Sequence, residues 1–81
     1  MVKDCFENTL TDIASFHIEK GDRVVFAFNN FNTPRLALGT VENIYYSKIN
    51  KECACTVQLD EKIGDTEQVR NVYGSRLLKL N

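Results

Sequence analysis

The chain has 81 residues, 43% of them hydrophobic, and a formal net charge of −1. That suffices for one compact core and argues against global disorder, but a chain of this length buries only about 60–65% of its unfolded surface and has no room for a second domain or a deep internal pocket. Near-neutrality also argues against a general polyanion binder, whose affinity rests on many phosphate contacts.

The first fifteen residues read as a short helix or an ordered arm. Phe6, Leu10, Ile13 and His17 recur at three- and four-residue steps, although Asn8, Thr9, Thr11 and Asp12 favour caps and turns. Phe16-His17-Ile18 reads as extended and runs into a Lys20-Gly21-Asp22 bend. Arg23 to Phe28 is the first strong strand, with Val24, Phe26 and Phe28 on one face and Val25 and Ala27 on the other. Asparagine and proline make Asn29 to Arg35 a loop by composition.

Leu36 to Tyr46 reads as a long second strand bent near Gly39, and Ser47 to Glu52 as a hairpin connection. Cys53 to Leu59 alternates most cleanly: Cys53, Cys55, Val57 and Leu59 face the core, and Ala54, Thr56 and Gln58 face out. After a turn over Asp60 to Asp65, Thr66 to Val72 forms a fourth strand. Tyr73 to Arg76 reads as one tight helical turn and Leu77 to Leu80 as a short fifth strand.

No arrangement of residues assigns a reaction. His17 is the only histidine, and no nucleophile elbow, zinc-protease or phosphate-loop pattern occurs. Three cysteines are an odd number for a disulfide framework, and Cys53 and Cys55 point to the same side of a strand, so all three read as small apolar residues of a reduced, cytoplasmic protein. The acidic turn Asp60-Glu61 with Asp65 lacks the spacing of a calcium loop. No metal or other cofactor is expected.

Binding surfaces are more legible than catalysis. Phe31 is a large apolar side chain among asparagines, either tucked under the domain or offered to a partner, with Arg35 beside it. Tyr45 and Tyr46 are adjacent on a strand, so one is expected in the core and the other exposed. Arg70, Tyr73 and Arg76 complete an aromatic and basic surface near the end of the chain, where Val69 onward carries three cations and no acid. Residues 1–22, by contrast, hold two lysines against five acids, so that the arm is acidic.

Four runs together resemble the SH3-like barrels of the Tudor and KOW type: Gly21-Asp22-Arg23-Val24, Gly39-Thr40-Val41-Glu42-Asn43-Ile44, Val57-Gln58-Leu59-Asp60 and Ser75-Arg76-Leu77-Leu78-Lys79-Leu80. The resemblance covers roughly residues 16–80 and is closest to small accessory domains of ribosomal, transcription and bacteriophage proteins. It implies a mainly β fold, a five-stranded SH3-like barrel over 16–81 behind an N-terminal helix or arm over 1–15, and a binding module rather than an enzyme. The chain departs from the family in two respects. It has no tryptophan for an aromatic methyl-lysine cage, and it lacks the basic charge of the nucleic-acid-binding relatives. The expected function is that of a small regulatory protein engaging a protein partner in a larger machine, through Phe31, Arg35, Tyr45, Tyr46, Arg70, Tyr73 and Arg76. RNA or DNA binding through the C-terminal basic edge is the alternative. No membrane association is expected; the chain is read as a monomer, with edge-strand dimerisation the other possibility.

Overall fold

The computed structural model describes residues 10–30 and 32–80, and Phe31 lies outside them. Among these residues seven strands run in chain order: β1 (Leu10–Thr11), β2 (His17–Ile18), β3 (Arg23–Asn30), β4 (Thr33–Ser47), β5 (Glu52–Ile63), β6 (Thr66–Tyr73) and β7 (Leu77–Lys79). A 3-10 turn, Gly74–Arg76, precedes β7. Strands β1 and β2 form a small antiparallel hairpin. The other five form one antiparallel sheet in the order β6-β5-β4-β3-β7.

Two expectations are corrected here. The sheet is not closed into a barrel: β6 and β7 stand at opposite ends of its order and do not pair. The three-residue β7 covers only Val24, Val25 and Phe26 of β3, which is too short a seam to bring the ends together. Nor is there a helix over Leu10 to His17; residues 1–9 lie outside the described part. Asp12 prevents the helix, because its carboxylate Oδ1 accepts the backbone N–H groups of Ala14 and Phe16, both at 2.9 Å, in place of helical carbonyls. Ser15 completes the turn with φ 68°.

The core follows from alternation. Val24 and Phe26 of β3, Ala37 and Val41 of β4, and Cys55, Val57 and Leu59 of β5 are buried together with Val72 and Leu77. Leu10 and Ile18 close one end of this core from the small hairpin. Gly39 of β4 meets a close approach: a Cβ there would lie 2.4 Å from the Gln58 carbonyl oxygen and 2.5 Å from a Val57 methyl. A bulge between Val41 and Asn43 then shifts the inward parity, so that Ile44 packs on the core.

The expected Asn29–Arg35 loop is largely strand. Asn29 pairs with Pro34 and Asn30 with Thr33, leaving a two-residue connection with Asn32 at φ 64°. Ala54 and Thr56, assigned outward by alternation, are nonetheless buried. Ala54 sits between Tyr45 of β4 and Tyr73 of β6 in the register, so the large neighbours cover it.

The cysteines divide. Cys53 is half-buried and disulfide-bonded, which corrects its reading as a plain packing residue. Cys55 is a free thiol, fully buried, and burial pushes its pKa up to about 12. At pH 8 Cys55 therefore reacts with a thiol reagent only as fast as the chain opens. Peptide mapping of pulse-labelled protein checks this, and prompt labelling of native Cys55 would contradict the packing described here.

Candidate functional site

The expected site residues do not converge on one surface. Tyr45 and Tyr46 are both half-buried and on opposite faces, so neither is a full core residue nor a freely exposed one. Tyr45 serves the β6 bulge. Asn71 has φ 58°, its N–H donates to the Tyr45 hydroxyl at 2.8 Å, and that hydroxyl donates to Asn71 Oδ1 at 2.6 Å. Tyr73 on the same face accepts a hydrogen bond from Asn50 Nδ2 and lies 3.4 Å from Ser47 Oγ, which ties β6 to the β4–β5 turn. Tyr46 pairs with Cys53 on the opposite face from Tyr45.

The cations are also dispersed. Arg70 is exposed on β6, at one end of the strand order, whereas Arg76 and Lys79 stand at the β7 end. Arg76 donates to the Ala27 carbonyl at 2.6 Å, and its guanidinium lies 5.9 Å from the Phe26 ring centroid. It thereby caps the stretch of β3 that β7 is too short to cover. Lys79 Nζ donates to the His17 carbonyl at 3.3 Å and lies 3.4 Å from Asp22 Oδ2. Arg35 is exposed on β4 opposite Phe28, far along the sheet from the tyrosines.

A different surface stands out. On the outer face of β4, β3 and β7, Leu38, Val25 and Leu78 form one cross-strand row, and Leu36 and Ala27 lie in the next. Leu36 is 73% exposed, Leu38 46% and Leu78 39%. An antiparallel sheet with one solvated face ordinarily alternates apolar and polar side chains, and neighbouring exposed leucines depart from that rule. The face is bordered by the Arg23–Asp60 ion pair, which reaches from β3 to β5.

Next to this face β4 and β5 part. Their pairing ends at Gly39 and Leu59, and beyond it the strands diverge around a cleft of about 230 Å³ lined by Arg35–Leu38 and Asp60–Ile63. Arg35 and Glu61 face this cleft with no ion pair among the described residues.

Sequence reasoning missed this face, although a signal was present. Val24-Val25-Phe26-Ala27-Phe28 and Leu36-Ala37-Leu38 are apolar at both parities, which marks strands with two apolar faces. No group of three or more histidine, cysteine or acidic residues able to hold a metal occurs among the described residues. No helix among them is long and apolar enough to cross a membrane. The chain matches no protein-family model, no curated protein and no solved structure.

Proposed function

We propose that this chain is a non-enzymatic binding module of the SH3-like kind, in an open five-stranded form, which engages a protein partner as a small regulatory component of a larger assembly. One observation carries the reading: the apolar rows on the outer face of β4, β3 and β7, where exposed Leu36, Leu38 and Leu78 surround half-buried Val25. Apolar contact area of this sort gives a protein interface its central anchors and offers little to a phosphate backbone. The proposed kinship with SH3-like domains rests on the four sequence runs named above, with the strand order and the 3-10 turn ahead of β7 in keeping with it.

The test is affinity capture from extract with three baits: wild type, Leu38→Glu and Ile49→Glu. Ile49 is 91% exposed in the β4–β5 turn and serves as the distant control. A protein retained by wild type and Ile49→Glu but lost by Leu38→Glu is the expected result, with all three baits equally stable to within about 0.5 kcal/mol. If Leu38→Glu retrieves the same proteins as wild type, the face is not the interface. Retention that depends on nucleic acid and falls steeply with salt would instead favour the nucleic-acid alternative.

A further inference from the structure

An open sheet has edges, and each edge of this one is treated differently. The part of β3 beyond β7 is capped by Arg76 on the Ala27 carbonyl. The outer edge of β6 is bulged at Asn71 and carries exposed Glu67, Gln68 and Arg70, the usual defences against an incoming strand. The edge of β4 ahead of Gly39 has no bulge, and its central residue, Leu36, is the most exposed leucine of the apolar face.

The direction of the backbone groups at that edge follows from the hairpin. The pair flanking a two-residue connection, Asn30 and Thr33, is the hydrogen-bonded kind, and the pairs alternate from there. Pro34 opposite Asn29 falls at a non-bonded position, consistent with its missing N–H. Leu36 opposite Ala27 does likewise, so its N–H and C=O point away from β3 into the cleft between β4 and β5.

We infer that this edge binds an extended peptide segment of a partner protein, which adds beside β4 at Leu36, sets alternate apolar side chains against Leu36 and Leu38, and carries a basic and an acidic residue to meet Glu61 and Arg35. This rests on the protein-binding reading above and specifies the form of its ligand. Two observations select a lone segment over a second copy of the chain. Symmetric β4–β4 pairing centred on Leu36 places each Pro34 opposite the other copy's Leu38, where a donor is required and absent. The cleft is also walled by Asp60–Ile63 of β5, and a strand that brings neighbouring strands with it does not fit there.

The test uses the full chain, labelled with nitrogen-15, and a synthetic heptapeptide alternating valine and threonine between a terminal lysine and a terminal glutamate, made in both orders. In the free chain the Leu36 amide is expected to exchange quickly with solvent. On addition of peptide to about millimolar concentration, one order should give saturable shifts at Leu36 and at residues 60–63, with Leu36 exchange slowed at least tenfold. N-methylation of the central peptide residue removes its donor and should weaken binding at least tenfold, while Arg35→Glu should abolish the preference between the two orders and Arg35→Glu combined with Glu61→Arg should reverse it.

The inference is overturned by a Leu36 amide already protected in the free chain, by no saturable shift with either order, or by Leu36 shifts that grow with the concentration of the chain alone and so report self-pairing. Shifts confined to Val25 and Leu78, or partner loss by Leu38→Glu without any Leu36 response, would refute edge pairing and leave the protein-binding reading standing.

Discussion

Replacing Asp12 with asparagine is expected to lower the stability of the chain by about 3 kcal/mol and its melting temperature by roughly 15 °C. The side chain is buried, 5% exposed, and its two oxygens hold three backbone donors. Oδ1 accepts from Ala14 and Phe16, and Oδ2 accepts from Lys79 at 2.7 Å. Together with the Ile13 N–H on the Leu77 carbonyl at 3.0 Å, these bonds fasten the β1–β2 hairpin to β7. An asparagine oxygen can replace Oδ1, but its amide nitrogen then faces the Lys79 N–H, donor against donor, and one buried donor is left unmet.

Burial by itself would raise the Asp12 carboxyl, but the N–H groups of Lys79, Phe16 and Ala14 and the Lys79 ammonium outweigh it and hold the pKa below the ordinary 3.8. A carboxyl depressed in the folded state contributes stability that is fully present above its unfolded value and is lost as pH falls through the folded one. Wild type should therefore lose stability faster than Asp12→Asn as pH drops below about 3.8. Thermal unfolding at a series of acidic pH values measures both effects. A gap between the two proteins that stays constant down to the acid limit would show that the Asp12 charge is not what holds the hairpin.

Four of the five strands of the sheet were legible as runs carrying β-branched and aromatic residues bounded by turn chemistry, and β7 as a short leucine run after a tight turn. The 3-10 turn at Gly74–Arg76 was legible from the glycine and serine that separate two strand runs. The N-terminal segment misled because Leu10, Ile13 and His17 carry a helical spacing. Competition from the Asp12 carboxylate depends on its partner Lys79, 67 residues away, which no local pattern reveals. The loop assigned to Asn29–Arg35 failed in a related way. Asparagine and proline suit a turn, but cross-strand pairing needed only two residues for it.

The site was less legible than the fold. Tyr45, Tyr73 and Arg76 are residue types that serve binding and also serve as structural ties, and here their polar ends are spent on Asn71, Asn50 and the Ala27 carbonyl. Alternation separated Val25 and Ala27 from Val24, Phe26 and Phe28, and the structure turns the latter face to the core. Alternation does not say which outer face later receives cover, and only the assembled sheet distinguishes the part over Ala54, shielded by tyrosines, from the part around Val25, where Leu36, Leu38 and Leu78 stay exposed.

Gly74→Ala should release the same hairpin from the opposite side, through contact rather than charge. A Cβ at Gly74 would lie 2.0 Å from the Thr11 carbonyl oxygen and 3.3 Å from a Leu10 methyl. The obstacle is backbone, so no side chain can swing aside, and either β1 or the 3-10 turn must move. Moving β1 withdraws Leu10 and Ile18 from the end of the core, where both are buried. Partial exposure of two such side chains costs about 3 kcal/mol, well above the roughly 0.4–1 kcal/mol that alanine gains by restricting the unfolded chain. Gly21→Ala provides the contrast. Nothing lies within 4 Å of its added Cβ, and only the φ of +96° is penalised, for about 1 kcal/mol. Amide exchange separates local release from general weakening: in Gly74→Ala the Ile13 amide should exchange freely while Val57 stays protected. Equal stability of the Gly74→Ala and wild-type proteins would mean that the hairpin does not rest on this turn.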